Sequence, residues 1–295
     1  MMQNYETQYQ HYLTRAEKAL DRAVDLYLPE ESVVCQAARY SLLGGGKRVR
    51  AIFVLATCDL LNGDMDAAEH FSAAVEMLHC YSLIHDDLPC MDNDDYRRGR
   101  LSCHKKFGET TATLAGDVLL TEAFEAIVQS GAEPKVCADA VKALAAGGGS
   151  RGMIFGQELD IAWEEKTPDR AVLDSIHHYK TGALINAAVQ MGASAAQADN
   201  ETRRVLEQYA YDLGLVFQIV DDVLDVTATS ETLGKPVGSD AENGKVTFAT
   251  LYGADGAMQL AQKINEDNCK RMEQQFGASA DFLVQLARQL LDRKN

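Results

Sequence analysis

Only five prolines, Pro29, Pro89, Pro134, Pro168 and Pro236, punctuate this 295-residue chain, and the segments between them are long and rich in Ala and Leu. Apolar residues recur in them every three to four positions, and no stretch alternates with a period of two. That pattern predicts an all-α fold. Helices are expected over residues 5–26, about 31–43, 110–130 and 133–146, from Pro168 onward, and from about Thr247 to the end. Breaks fall at Gly44-Gly45-Gly46 and at Gly147-Gly148-Gly149-Ser150. At 46% hydrophobic residues, the chain can bury a large core as one domain over 1–295.

A formal net charge of −16 argues against nucleic acid, because most of the surface would repel a phosphate backbone. An anionic small molecule would have to be met by local cations. No run of about 18 apolar residues exists to span a bilayer, and the first residues lack the apolar core of a signal peptide, so a cytoplasmic location is expected. The seven cysteines are odd in number and contain no CxxC pair, which favours reduced thiols.

The chemistry is concentrated in residues 76–104, EMLHCYSLIHDDLPCMDNDDYRRGRLSCH. Asp86 and Asp87 end an apolar helical run, where a carboxylate is costly without a counter-charge. Asp92 lies six residues beyond Asp86, and Pro89 can let the last turn bulge back so that one hard cation meets both. A second cluster, Asp221, Asp222 and Asp225, stands in the apolar run FQIVDDVLDV, with Asp221 and Asp225 one turn apart on one face. These donors are all oxygens, which selects Mg²⁺ or Mn²⁺ over Zn²⁺, and magnesium usually shares its shell with substrate phosphates. Two such clusters suggest a diphosphate cage. The plainer alternative is a pair of solvated acidic faces, and zinc ligation by His85, Cys90 and His104 lacks a recognised spacing.

Cations accompany these acids. Arg97 and Arg98 follow the first cluster and can each present a fork to phosphate. GGGKRVR delivers Lys47, Arg48 and Arg50 at a helix start, a placement that runs against the macrodipole unless an anion is near. Lys180 and Thr181 fall among apolar residues in HHYKTGALI, where Gly182 implies a kink or close packing. In RGMIFGQELDIAW, Gln157 and Asp160 share a face interrupted by two glycines. After the second cluster comes a polar, Gly- and Ser-rich segment that reads as a lid or as a plain solvated loop.

Taken together, DDLPCMD with RRG, DDVLD, GGKRVR, GQELD, YKTGALI, FQIVDD and LGKPVGSD resemble the short-chain trans-isoprenyl diphosphate synthases, the bacterial farnesyl diphosphate synthases most closely. The resemblance extends from about Tyr40 to Gly253 and implies an isoprenoid synthase-type helical bundle with a central cavity. It implies three Mg²⁺ ions, with Mn²⁺ able to substitute, held by Asp86, Asp87, Asp92, Asp221, Asp222 and Asp225. Isopentenyl diphosphate falls to Gly46, Lys47, Arg50, His79 and Arg98, and the allylic diphosphate to Arg97 and Lys180, with Gln157 lining its site, while Lys235 and Lys245 of the lid segment would close onto the diphosphates. Asp240 would orient a lysine or a metal-bound water, and Arg293 and Lys294 would reach back to the site. Thr181 and Gln218 would place a dipole near the developing carbocation. Ala51 and Leu101 stand where prolines are usual in these enzymes.

The implied reaction is ionisation of dimethylallyl or geranyl diphosphate, attack by isopentenyl diphosphate, and proton loss. One helical turn is about 5.4 Å, roughly an isoprene unit, so residues four and five before Asp86 would check a growing tail. These are Ser82 and Tyr81, and a bulky residue at the fifth position with a small one at the fourth is associated with a C15 product. A homodimer is inherited from the resemblance. The competing expectations are a geranylgeranyl or geranyl diphosphate synthase, a terpene cyclase, a non-catalytic partner subunit, or a purely structural helical protein.

Overall fold

A computed structural model describes residues 4–163, 166, 168–227 and 246–291. These residues are almost entirely helical and form two compact units, the first comprising residues 1–144 and 190–198, the second residues 145–189 and 199–295.

The first unit holds α1 (Tyr5–Tyr27), α2 (Val33–Leu42), α3 (Val49–Leu60), α4 (Met65–Asp86), α5 (Cys103–Phe107) and α6 (Glu109–Val128), with α1, α2, α3 and α6 packed on α4 and α5 on α2 and α6. Short polar side chains begin several of them: Asn4, Ser32 and Asp64 each accept a backbone N–H from the first turn of the helix they precede. Phe71, Val75, Met77 and Leu78 of α4, Ile52, Phe53 and Leu55 of α3 and Leu119 of α6 are all buried where these three helices pack. Pro134 is the first residue of α7 (Pro134–Gly148), as its fixed φ and missing donor favour.

Two departures from the expected pattern matter. Tyr96–Arg97 (β1) and Arg100–Leu101 (β2) pair as an antiparallel hairpin in which Arg98 and Gly99 make the turn at φ 53° and 72°. Both central residues of a tight hairpin turn of this twist need positive φ. Two-residue strands are too short to leave an alternating signal. Gly147 and Gly148, expected to break a helix, instead finish α7, and a Cβ on Gly147 would lie 2.5 Å from Ala187 Cβ. Their smallness serves close helix approach.

The second unit holds α8 (Met153–Trp163), α9 (Arg170–His177), a single π turn at His178–Gly182, α10 (Ala183–Ala195, whose end joins the first unit), α11 (Asn200–Thr227), α12 (Phe248–Phe276) and α13 (Asp281–Leu291). Pro168 stands just before α9, which Asp169 caps through the Val172 N–H. Val216, Ile219 and Val220 of α11 form a core with Phe248, Ala257 and Ala261 of α12. Asn268, fully buried on α12, donates to the Tyr209 carbonyl at 3.1 Å, and the Tyr209 hydroxyl donates to Leu283 O at 2.8 Å. Among the described residues, no helix is long and apolar enough to cross a membrane.

Within the first unit, Gly192 at the end of α10 lies against α3 so closely that a Cβ would stand 2.4 Å from Val54 O. Gly192→Ala is therefore expected to cost about 1–3 kcal/mol through overpacking, read as a lowered midpoint in thermal or urea unfolding.

Candidate active site

The first aspartate cluster is shaped by how α4 ends. Beyond Asp86 the chain curls back through Pro89 and Cys90, and the Asp92 N–H donates to the Asp86 carbonyl at 2.9 Å. Asn93 donates to Leu88 O at 3.1 Å and takes a positive φ of 52°. The loop thus returns an exposed Asp92 to a half-buried Asp86. Asp87, the middle residue of the expected metal set, is turned elsewhere: it is buried and accepts Arg97 Nε at 2.9 Å and Arg97 Nη2 more closely. Burial raises the Asp87 carboxyl above its ordinary value, against the pull of Arg97. Arg97 Nη2 also reaches Asp94 at 3.4 Å.

The hairpin that carries Arg97 places Arg98 over the triple-glycine break. Arg98 Nη1 donates to Gly45 O, and a Cβ on Gly46 would stand 2.9 Å from Arg98 Cζ. Gly46 has φ 133°, so both space and backbone require glycine there. Lys47 is exposed, with its carbonyl accepting the Tyr9 hydroxyl at 3.1 Å. Arg50 Nη1 lies 3.3 Å from His79 Nε2.

A guanidinium only donates, so His79 Nε2 must accept and the remaining ring hydrogen belongs on Nδ1. Burial, with Arg50, Arg98 and Arg97 nearby, holds this imidazole well below its ordinary range, which keeps it neutral. Arg50 Nε and His79 Nδ1 are both buried donors without an acceptor in the protein. A group of cations with two unanswered donors has the chemistry to suit an anion.

In the second unit, Lys180 and Thr181 sit on the π turn, a departure from α geometry of the kind often found at functional positions. Glycines on either side make room for it. A Cβ on Gly156 of α8 would stand 2.1 Å from Lys180 N, and one on Gly214 of α11 would stand 2.9 Å from Gly182 Cα. Lys180 Nζ pairs with Asp160 at 2.5 Å, and Thr181 Oγ1 donates to Gln218 Oε1 at 3.0 Å. The GQELD, YKTG and FQIVDD segments therefore meet around one open cleft, lined in part by Asp160, His177, Lys180, Thr181, Gln218 and Asp222. Gln157 lies half-buried on α8 beside Gly156.

Asp221 is half-buried on α11, and Asp225 is buried one turn on. Asp222, also expected as a metal ligand, accepts the Phe248 N–H at 2.9 Å and so caps the start of α12. Lys235, Asp240, Lys245, Arg293 and Lys294 lie outside the described residues.

Tyr81 and Ser82 are on α4 as the chain-length argument requires. Tyr81 is 7% exposed, with its ring edge-on to His85 at 5.6 Å. His85 Nε2 lies 3.0 Å from Thr113 O and occupies the space that a Cβ on Gly116 of α6 would take, 2.1 Å away. Ser82 Oγ donates to His79 O at 2.9 Å. The zinc alternative is not assembled, since His104 Nδ1 is paired with Ser102 and Cys90 is exposed. All seven cysteines are free.

Among the described residues no three His, Cys, Asp or Glu side chains converge on a ready metal cage. The donor sets nonetheless suit Mg²⁺: each cluster is oxygen-only, and the backbone bond from Asp92 to Asp86 brings two carboxylate residues together. A cation that keeps several waters and binds through one or two carboxylates plus phosphate fits such sets.

Sequence reasoning missed Glu76 and His177. Glu76 gives the clearest signal in retrospect, as a lone acid in the apolar stretch FSAAVEML. His177 stacks on Phe248 at 5.5 Å in the cleft, and burial pushes its imidazole down to about 4, with Lys180 adding to and Asp160 opposing the shift.

The polyprenyl synthetase family model matches residues 31–283. A farnesyl diphosphate synthase from Micrococcus luteus is 42% identical over 260 residues, which cover 88% of each chain. Geranylgeranyl pyrophosphate synthase 9, chloroplastic, from Arabidopsis thaliana is 41% identical over 292 residues, 96% of this chain and 81% of that one. Among solved structures, a geranyltransferase from Legionella pneumophila has a TM-score of 0.88 at 33% identity, covering 99% of this chain and 97% of that one. An FPP/GFPP synthase from Zymomonas mobilis has a TM-score of 0.82 at 35% identity, covering 96% and 99%. The fold is thus the all-α isoprenoid synthase fold, and the chain belongs to the polyprenyl synthetase family. It is an enzyme of the trans-isoprenyl diphosphate synthase class, a prenyltransferase.

Because the folded His177 imidazole titrates near 4 and an unfolded one near 6.5, the unfolded chain takes up the proton first as pH falls. Its contribution to stability is complete above about 6.5 and lost on the way down to about 4. Thermal unfolding midpoints should fall across that window, and His177→Phe should make the fall shallower.

Proposed function

We propose that the protein condenses isopentenyl diphosphate with dimethylallyl and then geranyl diphosphate to give (2E,6E)-farnesyl diphosphate. The observation that carries the C15 assignment is Tyr81, buried and locked edge-on to His85 five residues before Asp86, with the small Ser82 beside it. A geranylgeranyl diphosphate product is the second reading. It is favoured by the plastid geranylgeranyl synthases, which are as similar to this chain as the Micrococcus enzyme is.

Asp86, Asp92, Asp221 and Asp225 would hold Mg²⁺, with Asp87 and Asp222 behind them, and the metal would supply Lewis-acid neutralisation of the departing diphosphate. Arg97 and Lys180 hold the negative charge that develops as the allylic C–O bond breaks, a role the family resemblance extends to Lys235 and Lys245. Thr181 and Gln218, joined at 3.0 Å, would place a dipole near the cation left behind. Lys47, Arg50, His79 and Arg98, with the backbone at Gly46, hold isopentenyl diphosphate so that its double bond attacks that cation. The proton then passes to the released diphosphate, and no side chain is assigned as general base. The proposal includes a homodimer, taken from the family resemblance, and a cytoplasmic location, the expectation from the sequence.

The test is a product assay with Mg²⁺, labelled isopentenyl diphosphate and either dimethylallyl or geranyl diphosphate, read after dephosphorylation. Farnesol from both supports the reading. Geranylgeraniol or geraniol keeps the chemistry and overturns the product, and no incorporation overturns the activity.

Asp86→Ala is expected to lower kcat about a thousandfold, since it removes charge stabilisation present only in the transition state. Near-native turnover would refute its role. In the same assay Tyr81→Ala should lengthen the product toward C20 and Ser82→Phe should shorten it to C10. Unchanged chain lengths in both would place the floor elsewhere.

A further inference from the structure

We infer that Glu76 is a positioning residue for isopentenyl diphosphate: from α4 it caps the start of α3 and so fixes Arg50 beside His79. The inference rests on the assignment of Arg50 and His79 to that substrate.

α3 begins without a side-chain cap of its own. Its N-cap residue is Arg48, in the left-handed region at φ 49°, and an arginine offers no acceptor to the first-turn amides. The third residue of the helix, Ala51, instead donates its N–H to Glu76 Oε1 at 3.2 Å. A proline at this position, usual in the enzymes the motif resembles, would have no N–H to satisfy. Here the donor exists, and a carboxylate from another helix answers it.

Glu76 is only 4% exposed, and an isolated charge there would be very costly. Its second oxygen lies 3.6 Å from Arg48 Nη1. Arg48, itself 3% exposed, also donates to Glu17 at 2.8 Å and to the Leu42 carbonyl at 2.9 Å. Those contacts hold the left-handed residue in place. Its backbone turns the chain so that Lys47 stays exposed while Arg50 faces His79. Glu76 and His79 are three apart on α4 and so share a face, which means one helical turn carries both the cap and the anion receiver. Glu76 also opposes the lowering that burial imposes on Arg50.

The test uses full-length protein. Glu76→Gln keeps the side chain's size and one acceptor but loses the charge facing Arg48. It should raise KM for isopentenyl diphosphate about fivefold, with kcat and KM for dimethylallyl diphosphate within about twofold. Glu76→Ala, which removes the acceptor as well, should raise it about twentyfold. In an Ala51→Pro background, which deletes the donor, the Glu76→Ala penalty should shrink severalfold. Circular dichroism identifies a variant that fails to fold, and the near-isosteric Gln variant then decides. A folded Glu76→Gln enzyme with unchanged KM for isopentenyl diphosphate, or with both KM values raised in parallel, overturns the inference. Wild-type protein that incorporates no isopentenyl diphosphate overturns the functional reading and the inference with it, an outcome distinct from an active enzyme with silent variants.

Discussion

Asp87, at the buried end of α4, is paired with Arg97, which reaches it from the hairpin. Burial pushes such a carboxyl toward its neutral form and the arginine pulls the other way. The ion pair ties the hairpin to α4, and the cationic face of the first unit depends on that tie. Arg98, next along the hairpin, is thereby set over Gly45 and Gly46, so the acidic end of α4 and the basic break before α3 are built as one object. Removing Arg97 would leave an uncompensated buried charge as well as one phosphate contact fewer, and its kinetics could not be read as loss of a contact alone.

The second unit solves a related problem with space. A lysine and a threonine are presented from a π turn, and the turn fits only because Gly156 and Gly214 bring α8 and α11 to within backbone contact of it. Lys180 then finds Asp160 and Thr181 finds Gln218. Small residues at helix crossings are here the means by which polar groups are aimed.

The sequence made the helical class, most helix positions and the return of Asp92 through Pro89 legible, since each depends on local pattern. Polar residues in apolar helices also pointed to the right neighbourhoods: Lys180, Thr181, Gln218 and Asp160 do line one cleft. The partner of each group was not legible. That Asp87 turns to Arg97 and Asp222 to the Phe248 amide depends on contacts made across the chain, as does the Glu76 cap on α3. The hairpin was hidden for another reason, because two-residue strands have no period and an arginine at positive φ runs against ordinary preference. His85 filling the gap at Gly116 is likewise a fact of packing, which composition does not encode.

The loop that returns Asp92 to Asp86 contains Cys90, the one exposed cysteine among the described residues. The other six thiols are buried in helix packing. A thiol-directed fluorophore or spin label would therefore report from a single address, within the six-residue span that joins the two aspartates. The chain carries its own attachment point for watching that loop, and no cysteine need be engineered in or removed to use it.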